Sequence, residues 1–334
     1  MDLIFERTDG LGNVEAGFLT NYEADFDITT DTANYTNNFQ IKMVLPETPD
    51  ELLFIENLVS CIVYAEGTEF GGEITGCTTD MGDGTIAYTG RTWRGTQDRY
   101  VIEPPAGQDY LILNGNLKTC LEQFPMNPRM TIASSGRTVT NHKVHRYVKT
   151  FEGVTRLLGT FGLMDSYVFY DGQIEMSMNA PRNLTDMIDL SADYGDHINL
   201  RITRDGDTPR HLICLGQGEL RDREVIHLYA GPPNWTISQT AIPGAYPVDT
   251  YDFSSSENLL ADGTKHYQEV IGNHRQIDVD IFDLDVRLGD IISARDHLTD
   301  EYVEAEISKI VWRCKQNGEW QEENFQYETK VRKR

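Results

Sequence analysis

The chain has 334 residues, with 29 Lys and Arg against 53 Asp and Glu, for a formal net charge of −24. Phosphate backbones are bound by clustered cations, so this field argues against specific nucleic-acid binding and against docking on an anionic membrane. A hydrophobic content of 39% supports packed cores over wholesale disorder, and no run approaches the ~18 apolar residues of a membrane span.

The length implies two or three domains. The start, Met1-Asp-Leu-Ile-Phe-Glu-Arg, has no basic region before an apolar stretch, so no secretory signal is expected. The Asn-x-Ser/Thr triplets at Asn34, Asn183 and Asn234 then carry no glycosylation meaning. Cys61, Cys77, Cys120, Cys214 and Cys314 are odd in number and widely spaced, without a Cys-x-x-Cys. They read as reduced thiols of a chain made in a cytoplasm, and a zinc ribbon is excluded. Cys61 and Cys77 fall on expected strands, where a thiol acts as a small apolar group.

Along the chain, Phe18 to Ile28 alternates loosely, and Asn38 to Leu45 alternates strictly before Pro46. The second run reads as a half-buried strand. Leu52 to Ile55 and Cys61 to Tyr64 add two apolar runs. Next come Glu73 to Thr79, the turn Met81-Gly-Asp-Gly, and Thr85 to Thr89, a hairpin by its alternation and Asp-Gly turn. The block exits through Gly90-Arg-Thr-Trp-Arg-Gly and stops at Pro104-Pro105. Gly90 is expected at positive φ. Trp93 is expected to anchor the corner, with Arg91, Arg94 and Arg99 paired to acidic groups in this or an adjacent subunit. The competing reading of that basic-aromatic knot is nucleic-acid contact.

Asn114 is the expected N-cap of a helix from Gly115 to Phe124, with Leu117, Cys120, Leu121 and Phe124 on one face. A loop follows from Pro125 to about Asn141. Thr150 to Gly162 reads as an amphipathic helix with Phe151, Val154, Leu157, Leu158 and Phe161 as its stripe. Tyr167 to Tyr170 and Gln173 to Met178 form a hairpin around Asp171-Gly172. Residues 186–204 give no clear pattern. His211 to Cys214 and Glu224 to Tyr229 pair around Gly216-Gln-Gly218, and Gly231 to Tyr251 is loop. A helix is expected from about Asn258 to Ile271, with Leu259, Leu260, His266, Tyr267 and Val270 as contacts. Strands return at 276–286, 289–294, 302–313 and 323–330.

No residue set carries recognisable chemistry. His142 and His145 lack a third ligand nearby, and no His-Glu-x-x-His exists. The acidic run from Asp278 to Val286 has Asp283 where a calcium loop needs glycine, so it reads as a strand with solvated faces. Asp280 and Asp285 there would guard a sheet edge. Gly216, Gly218 and the Gly67 to Gly72 stretch lack a nucleotide-loop context and read as bulges, corners or close backbone approach. Arg221-Asp-Arg223-Glu reads as a charge ladder. No phrase singles out a carboxylate pair of the kind a glycosidase uses. Catalytic, cofactor-binding and metal residues are therefore assigned as none, and no cofactor is expected.

The blocks Glu66 to Pro105, His211 to Ala230 and Val286 to Ile292 resemble a family of siphovirus tail proteins that is similar to tail-tip, or baseplate, hub proteins. The likeness spans roughly residues 50 to 330; the first fifty are placed by position. It implies a β-rich α+β fold of two barrel-like β-domains flanking α+β inserts. The implied division is 1–110 as a tube-type barrel, 111–185 as an insert with two amphipathic helices and a hairpin, and 186–334 as a second barrel with a helical insert near 255–271. The resemblance further implies a virion tail-tip protein of a phage or prophage, synthesised in the host cytoplasm. Three copies would form a ring that continues and closes the tail tube, docking the distal tail protein and the tape-measure protein. The acidic charge would then suit a conduit wall as well as solubility. The chain's end leaves no room for a peptidoglycan-cleaving extension, so the expectation is no enzyme. The alternatives are an adhesion module for host-surface glycan and, behind it, a cell-wall hydrolase.

Overall fold

The computed structural model describes residues 1–8, 13–32, 37–55, 60–185, 198–204, 206–254, 256, 258–272, 275–281, 286–296, 301–318 and 320–331. Of these, 198–204, 275–281, 294–296, 301, 303 and 331 are described by backbone alone. The chain forms two compact units. The first holds residues 1–184, 280–291 and 307–328, and the second holds 185–279, 292–306 and 329–334.

The first unit opens with β1 (Ile4–Thr8), β2 (Val14–Phe18), β3 (Tyr22–Thr29), β4 (Asn38–Val44), β5 (Ser60–Tyr64), β6 (Gly71–Asp80) and β7 (Thr85–Thr92). A short helix, α1 (Trp93–Thr96), follows directly. Then come β8 (Val101–Ile102), β9 (Ile112–Asn116), α2 (Leu117–Leu121), β10 (Met130–Ile132), β11 (Thr138–Lys143), β12 (Val148–Lys149), α3 (Thr150–Gly159), β13 (Met164–Tyr170) and β14 (Gln173–Asn179). The second unit holds β15 (Ile198–Arg204), β16 (His211–Leu215), β17 (Val225–Tyr229), β18 (Val248–Asp252) and α4 (Leu259–Gly272). The last strands are β19 (Arg275–Ile281), β20 (Ile291–Asp296), β21 (Glu301–Gln316) and β22 (Gln321–Val331).

In the first unit the main sheet runs β22–β21–β3–β4–β7–β6–β5–β1–β2. Period-two alternation sorts its faces. Tyr22, Ala24, Phe26 and Ile28 of β3 are buried, while Asp25 and Asp27 point the other way. The core beneath is aromatic, with Phe26 stacked on Phe39 at 4.8 Å and tilted against Trp312 at 5.3 Å. Val63 of β5 joins it from the far part of the sheet order, with Leu3 ahead of β1 and Leu53 ahead of β5, so the sheet curls over its own core. Among the described residues the sheets are open; none closes into a barrel.

A second core fills the same unit. Phe151, Val154, Leu157 and Leu158 form the buried stripe of α3 as its periodicity predicts, whereas the helix stops at Gly159, so Phe161 falls beyond it and is half-buried, and Gly162 lies at φ +62. Val154, Leu157 and Leu158 pack with Leu117, Cys120 and Leu121 of α2 and with Tyr167 and Phe169 of β13. The β13–β14 hairpin turns on Asp171 and Gly172 at φ 48 and 74, as a two-residue turn with both central residues left-handed requires. The N-cap of α2 is Asn116, whose side chain accepts from Lys118 N, and not Asn114. Strand β9 continues to Asn116 by pairing with β11, and Asn114 Oδ1 accepts from Asn141 N at 2.7 Å instead.

In the second unit β16 pairs antiparallel with β17 and parallel with β18. Leu259, Gly263, Tyr267 and Ile271 form the buried face of α4, and Leu259, Tyr267 and Ile271 cluster with Leu212, Cys214 and Leu228. Leu260 lies off this face and is exposed, contrary to its expected contact role. His266 packs on Tyr251, with ring centroids 3.8 Å apart.

Candidate functional site

The corner after β7 is built on close packing. Thr92 caps α1 by accepting from Gly95 N, and a Cβ on Gly95 would fall 2.0 Å from Asn37 O. Trp93 is fully buried and stacks on Phe169 with centroids 5.0 Å apart. A Cβ on Gly71 would lie 2.7 Å from the Trp93 indole nitrogen. Gly90 is not at positive φ, contrary to expectation. Its constraint is space: a Cβ would stand 2.2 Å from Phe39 Cζ and 2.4 Å from Glu73 O.

Arg94 is fully buried and makes four hydrogen bonds to Glu69 and Asp165. Its Nε and Nη2 donate to Glu69 Oε1 at 3.1 and 2.9 Å. Its Nη1 donates to Asp165 Oδ2 at 2.7 Å, and Nη2 also donates to the Asp165 carbonyl at 2.9 Å. The guanidinium lies 5.0 Å from the centroid of the Tyr167 ring. Burial opposes its charge, but Asp165 and Glu69 more than offset that, so its pKa sits above the ordinary value. Burial raises the Glu69 pKa against the pull of Arg94. This is an internal clamp, its charge matched by two carboxylates within the unit and its side chain closed off from solvent. Arg99 donates to Glu73 at 2.7 Å, and Arg91 stands 4.0 Å from Asp98. The expected pairing of all three arginines with acidic groups is thus met within the chain.

On the polar face of the main sheet lies an open groove of about 860 Å³. Its charges are largely paired across β3 and β21. Arg313 donates to Asp25 at 3.1 Å, and Lys309 reaches Asp27 at 3.0 Å and Glu328 at 3.4 Å. Near α1 the groove meets Asn37 and Asp98, which are 4% and 9% exposed. Asn37 Oδ1 accepts from Thr29 N at 2.7 Å, which fixes its amide orientation and leaves Nδ2 facing no partner. Asp98 Oδ1 and Gln97 Oε1 also lack hydrogen bonds. Burial pushes the Asp98 pKa up to about 6, although Arg91 and Lys149 pull it down. Buried polar groups left unmatched in this way are what the sequence reading missed. Asn37 and Asp98 carry no motif, and their shared position follows from the β4–β7 pairing and the tight α1 turn.

The remaining candidates stay apart. His142 sits on β11 and His145 in the next loop, where Arg156 approaches both its ring nitrogens, at 3.1 and 2.8 Å. Among the described residues no three His, Cys, Asp or Glu gather into a metal-sized cluster. The side chains of the acidic run 278–285 lie outside the described residues. Gly218, at φ +95, is a close-approach position, where a Cβ would fall 2.4 Å from Asp222 O. Arg223 pairs with Asp252 at 2.7 Å, as a charge ladder would. Among the described residues no helix is long and apolar enough to cross a membrane. The outer strand β2 carries Val14 and Phe18, 62% and 67% exposed, and Val44 of β4 is 70% exposed.

The whole chain is similar in fold to solved prophage tail proteins. The 43 kDa tail protein of prophage MuSo2 from Shewanella oneidensis superposes with a TM-score of 0.60 at 12% identity, covering 100% of this chain and 98% of that one. The tail protein from Neisseria meningitidis MC58 gives 0.55 at 11%, covering 99% and 97%. Prophage tail protein gp18 from Listeria monocytogenes EGD-e gives 0.52 at 10%, covering 100% and 95%. No family model matches the sequence, and no curated protein matches it. At these identities the likeness speaks to architecture: the chain has the fold of prophage tail proteins.

Proposed function

We propose that the chain is a structural component of a siphovirus tail, phage or prophage, acting in the tail-tip or baseplate hub. In this reading three copies form a ring that closes the tail tube and docks the distal tail and tape-measure proteins. The observation that carries it is the likeness in fold to three tail proteins over essentially the full length of each. The curled main sheet, which takes in 307–328 as well as the strands before residue 110, supports a first barrel-like domain; an insert at 111–185 and a second β-domain in the remainder of 186–334 complete the reading. Among the described residues β2 ends the main sheet, and its exposed Val14 and Phe18 support strand-to-strand contact between copies. The Arg94 clamp supports a scaffold role, because its charges are spent on holding the corner.

Immunogold microscopy of purified particles tests the location; label at the distal end of the tail is expected, and label confined to heads overturns it. Light scattering of the purified chain tests the ring. Trimer that reverts to monomer in Phe18→Lys at unchanged melting temperature is expected. A wild-type monomer that stays monomeric with its tail partners present overturns the ring.

A further inference from the structure

Leu212 and Cys214 of β16 and Leu228 of β17 pack with α4, so alternation turns His211, Ile213 and Leu215 of one strand and Val225, His227 and Tyr229 of the other to the opposite face. The register sets His211 opposite Tyr229 and Ile213 opposite His227, which makes the two histidines diagonal neighbours. His227 is exposed and His211 half-buried, and their ring nitrogens meet: His211 Nε2 lies 2.8 Å from His227 Nδ1. Tyr229 stacks on His211 with centroids 4.4 Å apart and ring planes 14° apart, which holds that imidazole in place. Strand β16 is bonded to β18 on its other side, so the sheet beneath the pair is rigid. We propose that His211 Nε2 and His227 Nδ1 form a two-histidine site for a divalent transition-metal ion of the nickel, copper and zinc group.

Ligand chemistry selects the ion. Neutral imidazole suits these three metals, whereas calcium and magnesium need oxygen ligands, and the outward side chains of β16 and β17 include no carboxylate. They include no lysine or arginine either, and the chain's net charge of −24 favours a cation over an anion. Two nitrogens bound to one tetrahedral zinc stand about 3.3 Å apart, so the rings part by roughly 0.5 Å to admit it, a small rotation for side chains at the surface. In the bare pair one nitrogen donates to the other. With the ion both present lone pairs, and each ring carries its proton on the remote nitrogen, Nδ1 of His211 and Nε2 of His227. Both rings are neutral in either state, so the exchange neither gains nor releases a proton. Among the described residues no third His, Cys, Asp or Glu completes a cluster, so water fills the remaining positions on the metal. The competing account is a plain surface hydrogen bond.

This site stands independently of the tail reading. Calorimetric titration of the intact chain with nickel chloride and zinc chloride tests it, together with long-range proton–nitrogen NMR of the imidazoles. Binding of both ions is expected, and zinc should shift His211 Nε2 and His227 Nδ1. Magnesium chloride should give no such shift. His211→Ala or His227→Ala should weaken binding more than about tenfold, because a single imidazole no longer chelates. His227→Gln keeps a hydrogen-bond partner for His211 but offers no imidazole, so it should lose the ion while melting as wild type does in EDTA. His142→Ala, on β11, should leave binding unchanged. Absence of heat from both ions, zinc shifts confined to other histidines, or undiminished binding in a folded His211 or His227 variant reduces the pair to a plain hydrogen bond and overturns the proposal.

Discussion

Replacing Asp98 with Asn should change how stability depends on pH. Burial raises the Asp98 pKa in the folded chain to about 6, whereas an unfolded aspartate titrates near 4. Between those values the folded chain keeps a proton that the unfolded chain has released. Stability therefore falls as pH rises through the window and levels off above about 6. Two pH units at about 1.4 kcal/mol each come to about 3 kcal/mol. The carboxylate side chain is only 8% exposed, so solvent screening removes little of this. Arg91 and Lys149 lower the pKa and Glu152 raises it, and the value of about 6 already includes all three. Urea unfolding of both proteins, followed by circular dichroism from about pH 4 to 7, isolates the effect as a difference of curves. Wild type should lose about 3 kcal/mol relative to Asp98→Asn across that range. Parallel curves would refute the reasoning, and a difference of opposite sign would mean that Arg91 stabilises the charged form.

Arg94→Ala leaves the buried Asp165 and the half-buried Glu69 without their cation, and should cost about 3–5 kcal/mol in urea unfolding; a loss below ~1 kcal/mol would show that the clamp is dispensable. Trp93→Ala empties a fully buried stack against Phe169 and should cost about 3–5 kcal/mol, read from the melting curve. Gly90→Ala should abolish soluble expression through its collision with Phe39 and Glu73, whereas Gly159→Ala, with open space around it, should be tolerated. Iodoacetamide under native conditions should modify Cys77, which is exposed, and spare Cys61, which is buried with its pKa pushed up to about 12. Mass spectrometry of tryptic peptides reads this out, and equal labelling of the two would contradict the placement of β5.

Much of the local structure is legible from residue order alone. The Asp171-Gly172 turn, the stripe of α3 and the β6–β7 hairpin obey rules that act within a dozen residues. Legibility fails where two local solutions compete. Asn114 and Asn116 both satisfy the N-cap rule, and only the pairing of β9 with β11 chooses between them. Cys61 and Cys77 both sit on strands, yet β6 is exposed over its outer half and Cys77 with it, contrary to its expected apolar role. For Gly90 the sequence marks a constrained position but names the wrong constraint, because close approach by Phe39 depends on β4 lying alongside β7.

What residue order determined by itself is a β-rich, acidic chain punctuated by turns and two amphipathic helical stretches before residue 163, since alternation, helical periodicity and charge are properties of neighbours. Only the tertiary structure decided that β21 lies against β3, where Arg313 reaches Asp25 across 288 positions. It alone supplied Arg94 with acceptors 25 and 71 residues away, and it alone left Asn37 and Asp98 unsatisfied at the head of one groove. Long-range partners are chosen by packing of whole sheet faces, and no short stretch of chain contains that information.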